Sequence, residues 1–129
     1  MMRWGLALMM MTITACDTLG GAETQTPYGT YVGSETRLLD GDLVNFRVNM
    51  RGQLNRRAIL DYAECVAAEY TLVRGYGFAR HLRTNVSNKG SIWSADAVYT
   101  ISNTIPAGHK TLEAEITVAE CKERGIPTV

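Results

Sequence analysis

Three features that often indicate a function are missing from this sequence. The longest apolar run, at residues 4–11, is far shorter than the roughly 20 residues that a transmembrane helix needs. Basic and acidic residues balance at 13 each, and no basic cluster indicates a surface for nucleic acid. The 3 cysteines have neither a Cys-x-x-Cys spacing nor a histidine at ligand spacing beside them. We therefore expect no nucleic-acid partner and no bound metal.

Catalytic patterns are missing as well. Ser91 and Ser94 lie near Asp96 in the sequence, but no Gly-x-Ser-x-Gly elbow surrounds either serine. His81 and His109 are far apart in the chain, and surface histidines are a simpler interpretation than a shared site. We predict no catalytic residue and no cofactor, and the sequence favours a non-enzymatic protein over an enzyme.

The first residues are typical of an exported bacterial protein. Arg3 precedes the apolar run, and small and hydroxyl residues follow it, which is the order of a secretory signal. The segment ends in Ile13-Thr14-Ala15-Cys16, which resembles the lipobox of bacterial lipoproteins, where the cysteine is diacylated and becomes the mature N-terminus. We predict a signal peptide at 1–15 and lipidation of Cys16. The alternative is an ordinary signal peptide with an incidental cysteine.

A short tether and one domain follow this signal. Residues 16–27 are rich in Thr, Gly, Ala and Gln, so they bury too little apolar surface to fold alone. We predict a flexible tether there and a single domain at 28–129, a length within the usual range for one domain. The protein would be anchored in the cell envelope and face the periplasm. Asp17 favours the inner membrane under enterobacterial sorting, but that code is not universal, and the choice of membrane stays open.

Two cysteines remain for the domain. Cys65 and Cys121 form an even pair in a chain that is expected to fold outside the reducing cytoplasm, so we predict a disulfide between them. The alternative is two buried free thiols, because cysteine also packs as a small hydrophobic residue.

One helix is clearly indicated at residues 56–74. Asn55 is a suitable N-cap, apolar residues follow at helical spacing, and Gly75 stands where a left-handed C-cap belongs. Helical geometry places Glu69 within the apolar stripe, and a buried carboxylate needs a partner. We predict a structural, buried ion pair between Glu69 and Arg80, with the hydroxyl of Tyr62 or Tyr99 as a substitute donor.

Strands are predicted on both sides of this helix. Residues 44–51 alternate between apolar and polar side chains, and 78–86 and 93–101 are predicted as a hairpin around a turn at 88–90. In the first strand of this hairpin, strict alternation places Phe78, Arg80, Leu82, Thr84 and Val86 on the inward face. Residues 112–118 are predicted as the last strand, and a short extra strand is placed near 28–39. The expected fold class is α+β, with one main helix packed on one face of an antiparallel sheet of about four strands, in the order strand, helix, three-strand meander.

The other face of this sheet is polar, and it is the candidate binding face. Its mixed charges are typical of a solvated surface, while a binding surface is the second interpretation. The residues singled out for binding are Arg47, Arg51, His81 and Arg83, and their predicted polar neighbours are Asn49, Asn85, Asp96, Glu113 and Glu115.

Three segments together resemble a known family. They are 46–52, 61–72 with its Ala67-Ala68-Glu69 and Thr71-Leu72 pairs, and 75–78 with Gly75-Tyr76-Gly77. In order and spacing they are similar to the small proteobacterial lipoproteins of the CC0125/CC1285 family. Met50, Cys65 and Val66 depart from that pattern. The resemblance implies a lipoprotein of this fold but carries no established activity.

The sequence therefore predicts a non-enzymatic, lipid-anchored envelope protein that binds another envelope component. The alternative is a small periplasmic ligand-binding or enzymatic domain that uses the polar sheet face or the tyrosines Tyr28, Tyr31 and Tyr76. A concave pocket lined by these residues would favour the alternative, and a filled, convex surface would favour the interaction protein.

Overall fold

In the described part of the chain, one sheet carries two helices on the same face. The computed structural model describes residues 24–26, 29–105 and 111–128. These residues form β1 (Thr24–Thr26), β2 (Gly29–Leu38), β3 (Leu43–Gly52), α1 (Arg56–Val73), β4 (Phe78–Lys89), β5 (Ile92–Ser102), β6 (Thr111–Glu113) and α2 (Ala114–Glu123). The six strands lie in the order β1-β2-β3-β5-β4-β6, and every pair is antiparallel. The predicted α+β class is confirmed, although the sheet has more strands than expected and a second helix packs beside the first.

The alternation of β3 builds the centre of the core. Val44, Phe46, Val48 and Met50 are all at most 1% exposed, and they face the layer of α1. Each buried side chain of this size stabilises the fold by about 1.5–3 kcal/mol. The hairpin of β4 and β5 forms as predicted, and β5 lies next to β3, with Ala97 opposite Phe46.

Helix α1 begins and ends where the sequence indicates. The Asn55 side chain accepts a hydrogen bond from the Ala58 amide at 3.0 Å, which satisfies one of the free amides of the first turn. Gly75 has a φ of +78°, and its amide donates to the Leu72 carbonyl at 2.9 Å. The next amide, of Tyr76, donates to the Thr71 carbonyl at 2.9 Å, which completes a Schellman motif.

The predicted last strand at 112–118 is wrong. Pairing with β4 stops at Glu113, and α2 follows. The alternating pattern wrongly indicates a strand, because the same residues also fit a helix. Ala114 and Val118 are four positions apart, and Cys121 continues the same buried helical stripe. Ile116, which alternation places inward, is 53% exposed.

Strand β1 lies inside the stretch that was predicted as tether. Thr24 pairs with Tyr31 of β2, so that sheet pairing starts before the predicted domain boundary at residue 28. Cys16, the predicted signal peptide and most of the predicted tether lie outside the described residues. In the described part, no helix is long and apolar enough to cross a membrane.

A β-bulge in β4 divides that strand into two halves with different alternation. The register shifts between His81 and Arg83. Before the shift, Ala79 faces the core opposite Ile101, and after it Val86 faces the core opposite Ala95. The predicted inward face of Phe78, Arg80 and Leu82 is therefore wrong, while the predicted inward position of Val86 is right. A bulge adds one unpaired residue, and simple alternation cannot show where it falls.

Candidate functional site

The polar face of the sheet lies opposite the two helices. One row of paired residues crosses four strands of this face, from Glu35 through Arg47 and Asp96 to Asn85. The row forms part of a depression of about 440 Å³. Its lining residues are Glu35, Arg47, Asn49, Asn85, Val86, Ser87, Ser94, Ala95 and Asp96.

The floor of this depression is held by contacts among its own side chains. The Nε of Arg47 lies 3.5 Å from Asp96 Oδ2. Asn45, only 6% exposed, donates to the other Asp96 oxygen and to the Ala97 carbonyl at 3.2 Å. Beside this group, Ser94 Oγ donates to Asn49 Oδ1 at 2.7 Å. The central carboxylate is thus oriented from two sides, and the arrangement fixes the positions of these polar groups on the surface.

Three of the four residues that were singled out for binding lie on this face. Arg47, Arg51 and Arg83 are exposed there, and Arg47 lines the depression. His81 does not belong to the face, because the bulge that follows it leaves it opposite Tyr99 on the core side. Its ring centroid lies 5.2 Å from that of Tyr99, and its Nε2 lies 2.6 Å from Thr84 Oγ1. The prediction that His81 shares the binding face is therefore wrong.

The other residues considered for binding are scattered. Glu115, predicted on the polar face, lies exposed on α2. Tyr31 packs edge-on against Tyr62 with ring centroids 4.8 Å apart, and Tyr76 donates to Asp42 at 3.3 Å. Neither lines the depression. Tyr28 lies outside the described residues.

The predicted Glu69–Arg80 ion pair does not form in the described part of the chain. Arg80 pairs with Thr100, which points away from the helices, and Glu69 is partly exposed on α1. Because the two side chains lie on opposite sides of the sheet, they cannot meet. Tyr62 and Tyr99, the proposed substitute donors, are both buried in the core.

The buried carboxylate of α1 is Asp61. It is held between two arginines: Arg57 Nε lies 3.0 Å from its Oδ1, and the Arg124 guanidinium lies 2.5 Å from its Oδ2. Arg124 caps the end of α2, so this contact joins the two helices. Asp61, Cys65 and Ala68 follow each other at helical spacing and are all buried. The sequence shows this second buried stripe. A strand at 112–118, however, leaves no helix for the stripe to pack against.

Cys65 and Cys121 lie at disulfide distance between the two helices. Their Sγ atoms are 2.03 Å apart and their Cα atoms 6.0 Å apart, and 56 positions separate them in the chain. Both are at most 3% exposed. Strict strand alternation would have pointed Cys121 away from α1. The helical path of α2 points it inward.

Burial perturbs several ionisable groups around α1. It raises the pKa of the Glu64 carboxyl, with Arg57 opposing that change. It also raises the pKa of Tyr99, and the nearby Glu64 charge adds to the effect. For Tyr31, burial raises the pKa while Arg124 opposes. These groups lie on the helix side of the sheet and not in the depression, and the described residues contain no cluster of three side chains that could hold a metal ion.

Comparison with known proteins places the chain in a family. Residues 31–125 match the family described as the YNQ4 C-terminal domain. The chain belongs to that family. It is similar to the "Uncharacterized 26.9 kDa protein in nqo8 5'region" of Paracoccus denitrificans, with 33% identity over 85 residues, which are 66% of this chain and 33% of that protein. The chain thus spans about a third of the length of this curated relative. No solved structure matches the chain.

The YNQ4 C-terminal domain match covers the parts of the fold that form the site. It includes both cysteines of the helix pair and all four strands that contribute to the depression, from Glu35 to Asp96. Cys16 and β1 lie before its first residue.

Proposed function

We propose that the mature protein is a lipid-anchored domain of the bacterial envelope that faces the periplasm and acts as a non-enzymatic binding module. The observation that carries this proposal is the cysteine pair between α1 and α2. Disulfides form and persist in oxidising compartments and are rare in the cytosol. Cys65 and Cys121 therefore support export independently of the segment around Cys16, whose lipobox pattern supplies the anchor. The resemblance to the CC0125/CC1285 lipoproteins supports the same proposal.

The polar sheet face is the surface that we assign to binding. Both helices pack on the opposite side, and the exposed arginines Arg47, Arg51 and Arg83 project from the strands of this face. Side chains on paired strands are held more rigidly than side chains on loops, which suits a recognition surface.

A second candidate function is binding of a small polar ligand. The depression at Arg47 and Asp96 favours it, because it is concave and presents a guanidinium, carboxylates, amides and hydroxyls. If this alternative is right, a small envelope metabolite should raise the melting temperature of the wild type, and Asp96→Ala should abolish that shift.

Fractionation and thiol trapping test the main proposal. The wild-type protein should be found in the membrane fraction with Cys65 and Cys121 blocked from alkylation until a reductant is added. Cys16→Ser should release the folded, still oxidised domain or leave an unprocessed precursor, because acyl chains supply about 0.8 kcal/mol of membrane affinity per buried methylene. A wild-type protein with both thiols reduced in the cell would overturn the assignment to the periplasm.

A further inference from the structure

We propose that the polar sheet face rests on the anionic phospholipid headgroups of the membrane that carries the anchor. The proposal deepens the binding role and depends on the proposed lipidation of Cys16. Anionic lipid headgroups are the partner of this face, and an acidic protein surface is the alternative that the experiment separates from it.

The polar face carries more positive than negative charge. The whole chain is balanced, with 13 basic and 13 acidic residues. Among the described residues whose register points them away from the helices, six basic side chains stand against three acidic ones, which leaves a surplus of three positive charges. The basic residues are Arg37, Arg47, Arg51, Arg80, Arg83 and Lys89, and the acidic residues are Glu35, Asp96 and Glu113.

The surplus is concentrated along β4. Two of the acidic residues already have partners on the same face, since Glu35 pairs with Arg37 at 3.0 Å and Asp96 with Arg47 at 3.5 Å. Arg80, Arg83 and Lys89 have no ion pair with any described residue, and they form the basic stripe of β4.

The β-bulge creates this stripe. In a regular strand, side chains three positions apart point to opposite faces, so Arg80 and Arg83 would be separated by the sheet. The extra residue at the bulge turns both toward the polar face. The bulged residue, Leu82, is 44% exposed, and Ile92 on the neighbouring strand is 37% exposed. Apolar side chains next to basic ones are typical of surfaces that lie in a membrane interface.

The sheet begins a short distance along the chain from the proposed anchor at Cys16. Thr24 stands eight positions after Cys16, and even a fully extended chain of eight residues spans only about 27 Å. Strand β1 lies at the edge of the sheet beside β2, so the anchor holds the sheet within that distance of the lipid. Strand β4 lies four strand positions from β1, about 19 Å across the sheet, so the basic stripe meets the headgroups when the polar face lies flat on the membrane. Their attraction then acts over a Debye length of about 8 Å at physiological salt.

Vesicle sedimentation of the oxidised mature chain, residues 16–129 with Cys16→Ser, tests the face without its lipid and without the apolar signal segment. The vesicles are phosphatidylcholine alone or phosphatidylcholine mixed with anionic phosphatidylglycerol. We expect stronger binding to the anionic vesicles and loss of that difference in high salt. Arg83→Glu should reduce binding to the anionic vesicles about fivefold or more, since each basic residue near such a surface contributes about a fivefold factor. Lys89→Glu should act in the same direction.

The matched control is Arg56→Glu, which makes the same charge change at an exposed position in the first turn of α1. It should leave binding unchanged. Equal binding of the parent chain to neutral and anionic vesicles would overturn the proposal, and so would an equal loss in Arg56→Glu and Arg83→Glu. The salt response of the parent chain decides the question even if a variant fails to fold.

The vesicle experiment and the test of lipidation at Cys16 can fail independently of each other. If the native protein carries no lipid at Cys16 but the unlipidated chain binds anionic vesicles, then the anchor is wrong and the face stands. If the native protein is lipidated and the unlipidated chain ignores anionic vesicles but crosslinks through residue 83 to an acidic envelope protein, then the anchor stands and the lipid-facing surface is wrong.

Discussion

Replacing Asp61 by Asn should destabilise the domain clearly, although the change keeps the shape of the side chain. The carboxylate is only 7% exposed and contacts the guanidinium groups of Arg57 and Arg124. Those two side chains are 70% and 54% exposed, so they regain water when the charge is removed. The substitution therefore removes one charge-assisted hydrogen bond and one weaker ion pair, and it should lower the free energy of unfolding by about 2 kcal/mol. It leaves no buried charge without a partner, so the larger cost of an unpaired buried charge does not apply. For a domain of this size, that corresponds to a melting temperature lower by about 8–16 °C.

The assay is thermal and urea unfolding of the oxidised protein, with Glu69→Gln as the matched control. Both substitutions neutralise one carboxylate on α1, but Glu69 is partly exposed and makes no ion pair with Arg80. Glu69→Gln should change stability by less than about 0.5 kcal/mol. A double-mutant cycle of Asp61→Asn with Arg124→Ala should show that the two losses are not additive. Equal effects of Asp61→Asn and Glu69→Gln, or full additivity in the cycle, would refute this account of how the helices are joined.

The remaining predictions concern the disulfide and the pH dependence of stability. The double variant Cys65→Ala/Cys121→Ala should lower the free energy of unfolding by about 4 kcal/mol on the chain-entropy model, because the two cysteines are 56 positions apart. Urea unfolding measures this loss, and an unchanged unfolding midpoint would contradict the prediction. Burial raises the pKa of Glu64 above its ordinary value of 4.5, so the folded state binds the proton more tightly than the unfolded chain does, and stability falls as the pH rises from 4.5 through the folded-state pKa. Glu64→Gln should therefore raise the melting temperature at neutral pH, and this difference should shrink as the pH is lowered through the folded-state pKa toward 4.5. A difference independent of pH would contradict this explanation.

The sequence predicted the elements whose signals are local. Asn55 and Gly75 mark the two ends of α1 because caps depend on neighbouring backbone groups. The alternation in β3 was sufficient to assign its faces, since that strand lies in the middle of the sheet, with one side against α1.

The errors arose where one residue changes the pattern or where two patterns overlap. The bulge between His81 and Arg83 reverses the face of every residue before it, which moved His81 to the core and Arg80 to the polar face. Ala114 and Val118 fit both a strand and a helix, and only the packing of α2 against α1 distinguishes the two. A strand at 112–118 leaves the Asp61 stripe of α1 without a partner, because α2 is the element that buries it.

The candidate site shows the same division. Arg47 and Arg51 were placed correctly from the alternation of β3. The clustering of Arg80, Arg83 and Lys89 was not visible, because it requires both the bulge and the order of the strands. Long-range pairing of this kind depends on tertiary packing, which a local pattern does not contain.

The central claim is that the mature protein is exported and anchored through Cys16. The measurement that tests it most directly is the mass of the N-terminal peptide of the native protein, isolated from bacterial membranes. We predict a peptide that begins at Cys16 and carries the added mass of a diacylglycerol on its sulfur. A mature protein that begins at any other residue, or one that begins at Cys16 without lipid, would contradict the claim.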